Sequence, residues 1–295
     1  ITTEKAGPRP ANDLTKRVIP AGIPVVFAEQ NVLRKLKKAK SKTINLKVNI
    51  IRKSNTGYNV AGFIDNQAAT TILIGGHYDH LGFGKENSMY SGVAAVHNGA
   101  DDNASGTAAV MELARYLKSS SKKNHNYLFV AFSGEEKGLL GSSYFTKDGD
   151  YDLSKIDYML NLDMVGRLDT AKMGLSILGT GSSNRWDTLI DLAAEKKIKI
   201  KHSKSASSGS DHMSFYNKDI PVLFFFTGIH SDYHKPSDDA VKINYQGVVT
   251  IIKYAEKLIE ATDTIVKIPF TKTADSLASS DQPTFSVTLG VVPDY

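Results

Sequence analysis

Six short stretches of the chain hold the side chains best suited to chemistry. His77 and Asp79 sit in 75-GGHYDHLGFG-84, and Asp101 and Asp102 in 99-GADDNASGTAAV-110. Glu135 and Glu136 follow the apolar run 127-YLFVAFS-133, and Asp163 comes near the end of 157-DYMLNLDM-164. Asp211 and His212 lie in 202-HSKSASSGSDHMSF-215; Tyr233, His234 and Asp238 lie in 229-IHSDYHKPSDD-239. Carboxylates that share a small site raise one another's pKa until some take up protons, unless cations compensate them. A pair of divalent ions does so. With no cysteine in the chain, the nitrogen and oxygen donors suit zinc, manganese or cobalt. Hydrolytic centres of this kind hold two ions about 3.5–4 Å apart around a shared carboxylate and a shared water.

For such residues to meet, the elements between them must return each one to the same rim. The run 71-TILIGG-76 reads as a strand buried on both faces. A helix over 104–120 follows, with Ala108, Met111, Leu113, Ala114 and Leu117 as its inward stripe. Further strands are predicted at 127–133, 157–164, 174–180 and 220–227, and helices around 138–147, 184–197 and 244–262. Continuous apolar strands separated by helices argue for an α/β domain whose mostly parallel sheet is covered on both faces. Ligands bind such sheets at the carboxyl ends of the strands, where every candidate residue falls.

Outside this pattern, 1–42 reads as a polar arm and a helix, with Val32, Leu33 and Leu36 facing inward on 27–39. The stretch 43–65 reads as a hairpin around 55-NTG-57 that could pair at the sheet edge, opening a domain over 43–265. The remainder, 266–295, reads as a Ser/Thr-rich linker and a strand-like fragment.

The 295 residues are 41% hydrophobic and 23% charged, enough for a sizeable core. The net charge of +5 comes from scattered lysines. The basic run 34-RKLKKAKSK-42 is a solvated helix face without a reader motif, so nucleic acid is not an expected partner. No apolar stretch has the length of a membrane span, and no motif assigns an oligomeric state. An opening Ile and no signal peptide imply a processed or trimmed chain.

The segments HYDH, GADDNASG, FSGEEKGLLGS, NLDM, SGSDH and DYHKPSDD, in this order from about residue 56 to 262, resemble the M28 family of metallo-aminopeptidases. The resemblance implies a three-layer α/β/α zinc-exopeptidase fold (phosphorylase/hydrolase-like) with a mixed, mostly parallel central sheet. It implies two Zn2+ ions: one held by His77 and Asp163, the other by Glu136 and His234, with Asp101 as the bridge. Glu135 would be the general base, and a non-proline cis peptide would join Asp101 to Asp102. Substrates would be peptides with a free N-terminus. Asp79, two residues after His77, can fix the second imidazole nitrogen. Asp102, Asp211, His212 and Tyr233 are expected to support the site or line its pocket, and Asp238 to cap a helix or orient His234. His230 is a weaker rival to His234, while His80, His97, His125 and His202 read as surface residues. Carboxypeptidase action, glutaminyl cyclisation in the same fold and a non-catalytic binding module are the alternatives. Arg167 is the arginine near a motif that a carboxypeptidase would need. The stretches 22–36 and 286–295 weakly resemble parts of a protease-associated and a PDZ-like domain. That would make the chain the core of an exported, periplasmic or extracellular bacterial enzyme.

Overall fold

The computed structural model of the chain describes residues 30–38, 47, 54–169, 174–193, 198–207 and 209–273. The chain divides into two compact units, Ile1–Thr56 and Gly57–Tyr295. In the first, the described element is the helix α1 (Gln30–Lys38), on which Val32 is exposed rather than inward-facing. The first strand expected of the 43–65 hairpin and the terminal fragment after 273 lie outside the described residues.

The second unit is built on a seven-stranded sheet. In chain order its strands are β1 (Val60–Ile64), β2 (Thr71–His77), β3 (Asn126–Phe132), β4 (Ile156–Leu162), β5 (Leu175–Leu178), β6 (Ile200–Ser203) and β7 (Val222–Phe226). Their order in space is β1-β3-β2-β4-β7-β5-β6. The central pairs β2/β3, β2/β4 and β4/β7 are parallel, whereas β1/β3 and β5/β7 are antiparallel. The sheet is therefore mixed and mostly parallel at its centre, and β1 supplies the edge pairing expected of the hairpin.

Side-chain alternation sends neighbouring strand residues to opposite faces, and both faces are covered. Ile72, Ile74, Tyr127, Phe129, Tyr158 and Leu160 share one core, which also holds residues of α2 (Gly106–Ser119), α4 (Trp186–Ala193) and α6 (Tyr245–Thr262). Leu73, Leu128, Val130, Phe132 and Met159 share the other with residues of α3 (Leu140–Lys147) and α5 (His212–Tyr216). The inward stripe of α2 is Ala109, Val110, Leu113 and Leu117; Ala108 and Met111 are exposed. Val110, Leu113 and Leu117 set the phase, and Ala114 packs partly buried against the same core, as expected.

The chain leaves β2 through α2 on one face to reach β3, then returns through α3 on the other face to β4 on the opposite side of β2. This reversal opens a crevice beyond the carboxyl ends of β2, β3 and β4. Two glycines allow the elements to close there. A Cβ on Gly76 would lie 2.6 Å from the Leu162 carbonyl oxygen, and one on Gly106 would lie 2.2 Å from the same atom.

Candidate metal centre

Four loops at that rim deliver the polar side chains. His77 is the last residue of β2 and is buried. Its Nε2 lies 3.3 Å from Asp102 Oδ1 and 3.4 Å from Asp163 Oδ1. Its Nδ1 is 3.1 Å from the backbone carbonyl of Asp79. The Asp79 carboxylate, 3.7 Å from that nitrogen, instead accepts the backbone N–H groups of Glu135 and Glu136 at 3.0 and 3.3 Å. So the carbonyl of residue 79 orients the imidazole, and its side chain pins the start of the turn after β3.

Asp102, and not Asp101, stands between the two halves of the site. Its Oδ1 faces His77, while its Oδ2 is 3.3 Å from His234 Nε2 and 3.9 Å from His80 Nδ1. The cis peptide is Asp102–Asn103, one residue later than the resemblance implied. Asp101 is fully buried and already engaged. Its Oδ1 accepts from the Gly166 N–H and the Ser105 hydroxyl, and its Oδ2 lies 3.1 Å from His230 Nε2. Asp101, the shared carboxylate that the resemblance implied, thus points into backbone and hydroxyl donors, while its neighbour Asp102 projects the other way and faces both His77 and His234.

Glu136 lies with Oε1 2.8 Å from His80 Nδ1 and Oε2 3.2 Å from His234 Nε2. His234 adopts a positive φ of 54° and places Nδ1 2.7 Å from the Asn87 carbonyl, which fixes its ring. The Tyr233 ring stacks on it at 3.8 Å. Asp163 accepts the Ser210 hydroxyl at 2.8 Å, leaving its other oxygen toward His77. Asp211 is completely buried, with neither carboxylate oxygen hydrogen-bonded among the described residues. His212 is buried and stacked on Phe224 at 4.7 Å. His80 belongs to the site, and His97 and His125 are buried; none is a surface residue. His80 follows His77 by three residues on one loop, but nothing in its local sequence marks it. Arg167 binds Asp238 at 2.9 Å and reaches Asp232 at 3.5 Å, so it is not a free receptor for a substrate carboxylate.

The electrostatics follow from this crowding. Burial opposes a charged His77, but Asp163 and Asp102 outweigh it and raise its pKa well above the usual imidazole range. Burial likewise opposes His234, and Asp102 and Glu136 push it up to about 10. In return Asp102 and Glu136 are held below the usual carboxylate range: burial works against them, and the histidines beside each prevail. Burial, reinforced by Asp163 and Asp211 against the pull of His77, raises Glu135 well above the usual range. Burial also pushes Asp211 up to about 7 and His212 down to about 3, and it raises Tyr233.

This donor set fits divalent ions. One ligand atom each from His77, Asp102 and Asp163 lie within 4.8 Å of one another, and so do atoms from His80, Asp102 and Glu136. Asp102 belongs to both groups. His234 Nε2, within 3.3 Å of two carboxylates, is buried and makes no hydrogen bond among the described residues. Once it gives up its proton, such a nitrogen has its lone pair free for a metal.

The family model described as "Peptidase family M28" matches residues 59–259. Aminopeptidase YwaD of Bacillus subtilis is 29% identical over 235 residues, which cover 76% of this chain and 48% of that protein. A probable leucine aminopeptidase of Trichophyton verrucosum is 31% identical over 175 residues, 57% of this chain and 45% of that one. The chain thus spans about half the length of the curated relatives it matches. Among solved structures, BSAP, a zinc aminopeptidase from Bacillus subtilis, aligns with a TM-score of 0.56 at 26% identity, covering 72% of this chain and 50% of that one. A glutaminyl cyclase from Porphyromonas gingivalis aligns with the same TM-score at 17% identity, covering 68% and 76%, and so shares the fold. By the match over most of its α/β unit, the chain belongs to peptidase family M28.

Proposed function

We propose that the protein is a zinc-dependent aminopeptidase that hydrolyses the first peptide bond of substrates with a free N-terminus. His77 and Asp163 would hold one zinc ion, Glu136 and His234 the other, and Asp102 would bridge them; manganese or cobalt suits the same donors. One observation carries this reading: the two oxygens of Asp102 face two different histidines, each beside a further carboxylate. The zinc aminopeptidase among the structural relatives supports the choice of ion and reaction. When bound, the ions would polarise the scissile carbonyl and bring the pKa of water toward about 7.

The remaining work belongs to the chain. Glu135 is adjacent to Glu136, and its backbone is pinned by Asp79, so one carboxylate can bind metal while its neighbour stays available for protons. Glu135 would take a proton from the attacking water on its carboxylate oxygen and deliver it to the nitrogen of the departing amine. Its raised proton affinity suits both halves of that transfer near neutral pH. His80 would hold Glu136 through the contact to Oε1.

The test is Glu135→Gln, which keeps the shape of the side chain and removes its proton chemistry. Turnover of leucine, methionine and arginine anilides should fall by roughly 10²–10⁴-fold, while zinc content stays at two per chain. Hydrolysis at the parent rate would remove Glu135 from the mechanism. An active parent indifferent to chelators would remove the metals.

A further inference from the structure

Residues 100–102 precede the first regular turn of α2, so their N–H groups have no helical partners. All three end on one residue. The Asp238 carbonyl accepts the N–H of Ala100 at 3.0 Å, and its Oδ2 accepts those of Asp101 and Asp102 at 2.8 and 3.1 Å. Asp238 is 0% exposed, so its charge needs a partner. That partner is Arg167, whose Nη2 donates to Oδ1 at 2.9 Å. The second contact of Arg167 is Asp232, which Lys242 Nζ and Ser237 Oγ hold at 2.6 and 2.7 Å.

The three segments joined this way each carry one of the donors assigned above. Asp102 belongs to the turn whose amides are held, Asp163 precedes Arg167 by four residues, and His234 precedes Asp238 by four. Resting on the proposed function, we infer that Arg167 and Asp238 form a strut that positions Asp102 between Asp163 and His234 and thereby sets the affinity of the centre for its ions. Neither residue touches substrate in this role. They are positioning residues, acting through the backbone of the shared carboxylate. Three charge-assisted bonds to one buried carboxylate, from Arg167 and the amides of Asp101 and Asp102, fix a separation that an uncharged turn would leave loose. Outer partners of this kind typically change metal affinity by about 10–100-fold.

The experiment titrates the full chain with Zn2+ against a chromophoric chelator, alongside thermal unfolding of the metal-free protein. Arg167→Met should weaken zinc binding by about 10–100-fold. Arg167→Lys should recover part of the loss, since an ammonium reaches one carboxylate but lacks the guanidinium fork. Asp238→Asn must turn its NH2 toward either Arg167 or the backbone amides, so it breaks one link and should weaken zinc similarly. Because the two residues act in series, the double variant Arg167→Met, Asp238→Asn should lose no more than the worse single one. Turnover of leucine anilide, which has no carboxylate, should fall by the same factor as that of a leucyl dipeptide.

Zinc affinity within about twofold of the parent in folded variants would overturn the strut; a full double-mutant loss equal to the product of the singles would too. A loss confined to the dipeptide would make Arg167 a carboxylate receptor instead. Should Arg167→Met fail to fold, Arg167→Lys and Asp238→Asn decide in the same way. Failure of the strut alone leaves a parent that binds two zinc ions and hydrolyses anilides. A parent that binds none overturns the proposed function and the strut together.

Discussion

Both ends of the parallel β2–β3–β4 trio bury a histidine beside a carboxylate, and the two ends are built on opposite terms. At the amino ends, His125 Nδ1 is 2.9 Å from the Thr70 hydroxyl and Nε2 is 3.3 Å from the Thr262 carbonyl. Asp157 stands 3.9 Å away and accepts the Ile268 N–H at 2.6 Å. There the imidazole is consumed by a hydroxyl and a carbonyl, and one carboxylate ties the backbone at Ile268 to the sheet. At the carboxyl ends, carboxylates from three loops converge on two imidazoles with no hydroxyl or amide between them. Burial of polar residues therefore does not mark chemistry. Convergence of several carboxylates and imidazoles from separate loops does.

The sharpest way to break this comparison is within the pair of aspartates. Asp102→Ala should remove the carboxylate common to both donor groups, with losses in zinc affinity and turnover beyond the roughly 10–100-fold typical of an outer partner. Asp101→Ala should instead leave the Gly166 N–H unpaired, costing about 1–3 kcal/mol of stability. It should keep two zinc ions. Zinc titration and thermal unfolding of both variants measure this, and the reverse ranking would return the bridge to Asp101.

The same pair shows where the sequence was legible and where it was not. β2, β3, β4 and β7 are buried on both faces, so each reads as a mostly apolar run of strand length. Their carboxyl ends bring His77, Glu136, Asp163 and His234 to one rim, as those runs implied. Two adjacent aspartates in an irregular turn carry no periodicity to separate them. What separates them is Asp238, more than 130 residues away, which holds both amides. His80 was missed for a related reason: its partner Glu136 is 56 residues on. The strand β6, with the sequence IKHS, and the helix α5, with HMSFY, are four and five residues long. Pairing with β5 and the burial of Phe215 in the second core determine them.

A second expectation sharpens the comparison through pH. In the metal-free protein His234 has its pKa raised to about 10, so the contacts of its charged ring contribute stability fully below the unfolded value of about 6.5. That stability is lost as pH rises from there through about 10. Asp211, raised to about 7 by burial, loses its contribution in the same direction at lower pH. Thermal unfolding in the presence of chelator should therefore show a midpoint that falls by several degrees on the alkaline side. Zinc must displace the protons on His77 and His234, so uptake should release protons and strengthen as pH rises. Calorimetry in buffers of different ionisation enthalpy reads this release. A midpoint flat between pH 6.5 and 10, with no proton release, would mean that the carboxylates do not hold those imidazoles charged.

The smallest effect is expected at the other end of the sheet. His125→Ala removes the partner of Thr70 and the buried neighbour of Asp157, whose carboxyl is already raised by burial against the pull of the Ile268 amide and His125. The expected cost is about 1–3 kcal/mol of unfolding free energy, since the hydroxyl and the carboxylate lose a buried partner without access to water. Zinc affinity and anilide turnover should stay at parent values, because the two ends are separated by the length of β2, from Thr71 to His77. A matching drop in turnover after correction for the unfolded fraction would show that the amino-end knot transmits to the metal rim. The contrast between a structural and a chemical histidine–carboxylate pair would then fail where the two look most alike.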